Sequence, residues 1–200
     1  KDFLQTGMRG IGILFDNADN VGDIVKVPAE NLCTSLAVVF PGGDKWAVGA
    51  NATIMRHNGL AWHQTPLPPK VFADGSEELI TDELHAIWGA TPDDVWAVGA
   101  NGRMVHWDGK QWNLIDSDFP VTLRGLYGLA SDDMWAVGNE GVILHWDGET
   151  WTPWPSGSVA TFYEIHGDGE GHVAIVGDIG TVLIMQSEEI ELEDDTPPSE

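Results

Sequence analysis

The sequence predicts an all-β fold built from a repeated four-stranded unit, and three observations predict it. The first is a recurring phrase. Trp135-Ala136-Val137-Gly138 is followed by Gly141, then by Val142-Ile143-Leu144-His145-Trp146-Asp147-Gly148 and Trp151. The same order occurs as Trp96-Ala97-Val98-Gly99, Gly102, Val105-His106-Trp107-Asp108-Gly109 and Trp112. An eroded copy runs Trp46-Ala47-Val48-Gly49, Met55-Arg56-His57-Asn58-Gly59 and Trp62, and a copy without tryptophan runs Ala174-Ile175-Val176-Gly177, Gly180 and Val182-Leu183-Ile184-Met185. The second observation is the period. Gly99, Gly138 and Gly177 stand 39 residues apart, whereas Gly49 and Gly99 are 50 apart, which marks an insertion. Internal periods of this size indicate a solenoid, a propeller or an array. The third is that each unit holds four short apolar runs, too short for helices, separated by Gly, Asn and Asp.

In the third unit the runs are Leu123–Leu129, Met134–Val137, Val142–Trp146 and Thr150–Trp154. Ser131-Asp132-Asp133, Asn139-Glu140-Gly141 and Asp147-Gly148 divide them. Asp-Gly between two runs is a hairpin signal, because both residues accept a positive φ in a tight turn. Val142-Ile143-Leu144 is continuously apolar and therefore requires cover on both faces of its sheet. Stacked blades of a β-propeller provide that cover. Ala97 and Ala136 fall on the opposite strand face from Trp96 and Trp135, so small residues on one face admit the large residues of a neighbouring sheet. Trp46, Trp96 and Trp135 are expected between sheets.

The units are placed at 36–68, 84–117, 123–156 and 161–187 of a blade region 36–187. Residues 1–35 do not follow the repeat; Gly10–Phe15 and Val21–Val27 read as strands around Asp16-Asn17-Ala18-Asp19-Asn20. That linker fails as an EF-hand, which requires glycine at its sixth position and glutamate at its twelfth; here both are valine, Val21 and Val27. Calcium stays open, and no other cofactor is expected. The insertion around Pro66–Asp82 reads as a loop between blades. Prolines fix its backbone, and loops on a rigid scaffold carry recognition. Pro69, Lys70, Phe72, Asp74, Glu77 and Glu78 are its candidate contact residues. Residues 188–200 form an acidic tail. The chain is expected not to close a ring alone; further sequence or another chain would complete it.

The net charge of −23 disfavours a phosphate backbone, which is bound through Lys and Arg. A single cysteine, Cys33, excludes an internal disulfide. No apolar run of about 18 residues, the length that spans a bilayer, is present. An apolar fraction of 42% suffices for a core. His106 and His145 share one repeat position, a full blade apart, so hydrogen bonding within each blade accounts for them better than a shared zinc. Paired acids such as Asp93/Asp94 and Asp132/Asp133 read as turn residues that accept from backbone N–H groups.

Asp147-Gly148-Glu149-Thr150-Trp151 resembles a shortened Asp-box, and the whole phrase is similar to secreted bacterial BNR-like propellers and, more distantly, to the photosystem II assembly factor group. The resemblance covers roughly Leu36 to Met185. It implies an extracytoplasmic propeller, periplasmic, cell-surface or secreted. It also raises a sialidase reading, which implies an arginine cluster and a tyrosine nucleophile. The chain has only Arg9, Arg56, Arg103 and Arg124, with Tyr127 and Tyr163, and several of these lie in repeat strands. No Gly-x-Ser-x-Gly, Walker or His-Glu-x-x-His motif is present. The expected function is therefore non-enzymatic: a scaffold or binding module for a protein partner. The alternative is a carbohydrate-binding or carbohydrate-cleaving propeller.

Overall fold

A computed structural model describes strands within residues 4–39 and, apart from residues 59 and 170, the chain from 44 to 186. The strands form successive antiparallel sheets. Strands β1 (Leu4–Gly7), β2 (Ile11–Phe15) and β3 (Val21–Lys26) make the first. Strands β4 (Cys33–Val39), β5 (Asp44–Gly49), β6 (Ile54–Asn58) and β7 (Trp62–Gln64) make the second. A hairpin of β8 (Lys70–Val71) and β9 (Glu77–Glu78) follows. Four-stranded sheets then come from β10 (Leu84–Thr91), β11 (Asp94–Gly99), β12 (Met104–Trp107) and β13 (Trp112–Ile115), and from β14 (Leu123–Ala130), β15 (Asp133–Gly138), β16 (Ile143–Trp146) and β17 (Trp151–Pro153). Strands β18 (Phe162–Gly167), β19 (His172–Gly177) and β20 (Val182–Gln186) make the last.

Every sheet runs in chain order, so each is a meander whose first strand is its innermost. These inner strands pack side by side: β1 with β4, β4 with β10, β10 with β14 and β14 with β18. That arrangement is the blade packing of a β-propeller, all-β as the repeat predicts. The expected strands of the third unit form within a residue or two of their predicted bounds. The inserted stretch, expected to be a loop, instead carries the paired strands β8 and β9. Asp16–Asn20 and the 188–200 tail lie outside the described residues.

Alternation along each strand divides side chains between a leading face, toward the next sheet, and a trailing face, toward the previous one. Val142-Ile143-Leu144 shows why the run is apolar throughout. Ile143 packs forward with Phe162, Ile165 and Ile175, and Leu144 packs backward with Trp96, Val98 and Met104. Ala97 lies on the trailing face against Trp46 and Ile54, as small residues opposite large ones require. Trp46 and Trp96 are buried between sheets. Trp135 is only partly buried: among the described residues the last sheet has three strands, and Trp154 packs edge-on against this ring at 5.3 Å.

Two glycines set the spacing of the blades. A Cβ on Gly128 would lie 2.6 Å from Cη2 of Trp88 in the preceding sheet, and one on Gly167 would lie 2.6 Å from Cζ of Tyr127. Each aromatic ring thus rests on bare backbone of the following blade.

Candidate functional site

The inserted segment begins where β7 ends. Thr65 continues the ladder by donating its N–H to Ile54 O at 2.9 Å. Its hydroxyl accepts from Trp112 Nε1 at 3.4 Å, which ties the first blade of the repeat to the second. Pro66, Pro68 and Pro69 then fix φ and remove three backbone donors, so the chain stays extended. This segment runs opposite β13, and the two enclose a groove of about 690 Å³. Both β7 and β13 are outermost strands, so the groove lies on the rim. Trp107, Trp112, Leu67 and Leu114 supply its apolar lining, and the side chains of Gln64, Lys110, Gln111 and Asn113 its polar walls. Among the described residues, no Asp, Glu or His lines it. Neutral amides that both donate and accept, around an apolar floor, suit a polypeptide backbone with aliphatic side chains.

The hairpin stands at one end of this groove. Lys70 Nζ reaches Asp116 Oδ1, just beyond β13, at 3.8 Å. The hairpin turn is ordered by its own bonds. Phe72 N donates to Ser76 O and Gly75 N to Phe72 O, both at 2.9 Å. Asp74 Oδ1 accepts from Ser76 N at 3.0 Å and from Ser76 Oγ at 2.6 Å. The Ser76 hydroxyl and amide hold the Asp74 carboxyl below its ordinary value. Phe72, Asp74, Glu77 and Glu78 are exposed, and Pro69 and Lys70 are partly so. All six residues singled out from the sequence therefore fall on one accessible element. Val71 at 64% and Leu79 at 77% exposure add an apolar surface that the sequence reading did not include. It also missed the groove, because Gln64 and Asn113 are unremarkable positions of outer strands and Lys110 of a turn.

The repeat histidines lie elsewhere, each committed to its own blade. His106 Nε2 meets Asp94 Oδ1 at 2.8 Å, and His145 Nε2 meets Asp133 Oδ1 at 2.8 Å. A carboxylate only accepts, so each Nε2 carries the proton. Each imidazole stacks on the tryptophan of its blade, His106 on Trp96 at 4.3 Å and His145 on Trp135 at 4.1 Å. Asp94 Oδ1 also accepts from Trp96 Nε1 at 3.1 Å. In the second sheet Arg56 replaces histidine: its Nη2 donates to Asp44 at 2.8 Å and its guanidinium lies 4.9 Å over Trp46. Asp94 and Asp133 thus bond side chains across the sheet, where the sequence reading gave them backbone partners in a turn. Among the described residues no three His, Cys, Asp or Glu side chains gather as a metal site.

The Asp-Gly hairpins behave as turns. Asp108 Oδ1 accepts from the N–H groups of Lys110 and Gln111, both at 2.9 Å, and Asp147 Oδ1 from those of Glu149 and Thr150 at 2.9 and 2.8 Å. The Gln111 amide, the Asn113 side chain and the Lys110 amide hold Asp108 at about 2.

No protein-family model matches the chain, and no curated protein matches it. Solved structures do. The chain is similar to "YCF48 bound to D1 peptide" at 19% identity and a TM-score of 0.65, covering 94% of this chain and 61% of that one. It is similar to the RRP9 WD40 repeats at 11% identity and a TM-score of 0.63, covering 90% and 57%. It is also similar to the C-terminal WD40 domain of Sif2 at 9% identity and a TM-score of 0.58, covering 92% and 54%. The chain therefore spans between about half and three-fifths of the length of these neighbours, and what it shares with them is the β-propeller fold.

Proposed function

We propose that this chain is a non-enzymatic propeller scaffold that binds an extended segment of a partner protein along the rim groove and the inserted hairpin. The observation that carries the reading is their adjacency. An amide-walled groove with an apolar floor ends at a self-bonded hairpin that displays Val71, Phe72 and Leu79 beside Glu77 and Glu78. A hairpin ordered before binding loses little conformational entropy on contact. A solved neighbour of the same fold is described as bound to a peptide, which supports a peptide-binding role for this one. The acidic residues of the hairpin favour a segment with basic residues at one end.

The test is affinity capture of partners from the source cells, followed by hydrogen exchange of the complex. Protection is expected in residues 64–79 and 110–115. Phe72→Ala combined with Leu79→Ser is expected to weaken binding by about tenfold or more, as loss of exposed apolar anchors does. Protection confined to other surfaces would sink the reading. A specific hit on a glycan array, or release of reducing sugar, would favour the carbohydrate alternative. We also read the Asp108 and Asp147 hairpins as kin of the Asp-box and the chain as extracytoplasmic. Backbone-accepting aspartates in both hairpins support the first reading. Cell fractionation tests the second, and recovery in the cytoplasm would refute it.

A further inference from the structure

Given a partner segment in the rim groove, as proposed above, we infer that it lies there as a fifth strand, paired antiparallel with the outer edge of β13 and setting alternate aliphatic side chains beside Trp112 and Leu114.

The ladder decides which groups of β13 point outward. Trp112, Asn113, Leu114 and Ile115 stand opposite Trp107, His106, Val105 and Met104 of β12. Asp108 N donates to Gln111 O at 3.2 Å, and Thr65, the counterpart of Ile115 one blade earlier, donates inward to Ile54 O. Bonded pairs alternate along an antiparallel ladder. Gln111, Asn113 and Ile115 therefore bond inward, while Trp112 and Leu114 turn both N–H and C=O away from β12. Among the described residues no backbone group meets them there. Blades cover one another's faces, through inner strands packed side by side, and this edge lies on the rim.

The equivalent edges of the neighbouring sheets are closed by proline. Their outward positions, in the same order, are Trp62, Gln64 and Pro66 at β7, and Trp151, Pro153 and Pro155 at β17. At β13 they are Trp112, Leu114 and Asp116. Proline on an edge removes the donor that a further strand would use, and natural sheets protect their edges in this way. β13 lacks that protection, and it is the strand that lines the groove. Main-chain pairing with such an edge, with pockets for alternate side chains, is a general mode of peptide recognition.

Pairing also sets the chemistry of the occupant. Residues directly opposite Trp112 and Leu114 share their sheet face, the apolar side where Trp107 and Leu67 also pack. Branched aliphatic residues fit there. The residue between them falls opposite Asn113, on the other face, and is polar. Among the described residues that line the groove Lys110 alone is charged, and it precedes β13. The acidic hairpin stands beyond the other end, where Lys70 reaches Asp116. An antiparallel segment therefore begins with a basic residue and ends with an acidic one.

The test uses the whole chain and the peptide Lys-Thr-Val-Thr-Val-Thr-Asp, read by fluorescence anisotropy. N-methylation of both valines removes the donors turned toward β13, and is expected to weaken binding about tenfold or more. N-methylation of the threonine between them removes a donor turned away, and should be tolerated. Exchanging the lysine and the aspartate should weaken binding severalfold. Leu114→Pro, which copies Pro153 of the next sheet, should weaken the parent peptide as much as valine methylation does, with the far-ultraviolet circular dichroism retained; if that variant unfolds, the methylated peptides decide. No binding of the parent peptide, equal binding of the two methylated peptides, or indifference to the order of the charged ends would overturn the inference. So would slow amide exchange at Trp112 and Leu114 in the chain alone, since this edge would then be covered by the chain itself. If a captured partner protects residues 64–79 and 110–115 while the methylated peptides bind equally, the groove reading stands and strand addition falls; protection confined to other surfaces removes both.

Discussion

Asp94, Trp96 and His106 form the smallest unit on which this protein depends. A carboxylate two residues before the tryptophan reaches across the ladder to the imidazole, which stacks on the indole. The trio fixes the rotamer of a ring that is only 4% exposed. Trp96→Ala is expected to cost about 3–5 kcal/mol in urea unfolding, the range for a large aromatic removed from a core. Trp135→Ala should cost clearly less, because that ring is only partly buried. Equal losses would show that the last sheet covers Trp135 as fully as its neighbours are covered. Burial alone would raise the Asp94 carboxyl, but bonds from His106, Ser131 and Trp96 and the His106 charge outweigh it and leave it below its ordinary value of 3.8. A depressed carboxylate stabilises the folded state fully above its unfolded value, and that stabilisation is lost as the pH falls through the folded value. Asp94→Asn should therefore lower stability at neutral pH while flattening the loss below pH 3.8. A parallel shift of the whole acid-unfolding curve, followed by tryptophan fluorescence, would exclude this role. The histidines were legible in the sequence as groups bonded within their own blade. Their aspartates were not, because Asp93-Asp94 and Asp132-Asp133 stand in a turn, and only the strand register, which sets Trp96 opposite His106 and Trp135 opposite His145, brings the second of each pair diagonally within reach of a histidine.

At the scale of elements, the tight turn after each Trp-Ala-Val-Gly strand or its counterpart puts one residue, then its neighbour, into left-handed backbone. Asn101 and Gly102 have φ of 55° and 68°, and Ile179 and Gly180 have 55° and 72°. Asparagine and glycine accept this conformation; a branched side chain there clashes with its own backbone. Ile179 is 96% exposed, so packing gives little in return. Ile179→Asn is expected to stabilise the protein by about 1 kcal/mol; an unchanged or lower Tm would mean that Ile179 makes a contact worth more than the strain. Turn positions of this kind were readable because Asn139-Glu140-Gly141 interrupts the apolar pattern. The hairpin of the insertion was not. Its strands, Lys70–Val71 and Glu77–Glu78, are two residues each and carry no apolar alternation. What orders them is the Asp74 and Ser76 bonding in the turn between.

For the whole molecule, the 39-residue period is a packing period as well as a sequence one. The inner strands β10, β14 and β18 each carry an aromatic-then-glycine step, Trp88-Gly89, Tyr127-Gly128 and His166-Gly167, and Trp88 rests on Gly128 and Tyr127 on Gly167 of the next blade. The repeat showed that the sheets recur, but no pattern within one blade says which residue meets which in another. That pairing follows only from the lateral contact of β10 with β14 and of β14 with β18. The interlock makes a prediction about coupling. A Cβ on Gly128 would lie 2.6–2.7 Å from three carbons of the Trp88 ring, and the ring cannot retreat without leaving the apolar cluster around Leu126 and Met134. Gly128→Ala is therefore expected to cost about 1–3 kcal/mol by overpacking. Trp88→Leu alone should also destabilise, by loss of buried ring area. The double variant should be more stable than the sum of the two losses implies, because the leucine vacates the space that the new methyl group needs. Thermal or urea unfolding of the four proteins gives the coupling directly, and a coupling of about 0.5 kcal/mol or more is expected for residues in contact. Strict additivity would mean that the two blades adjust independently and that the glycine does not set their spacing.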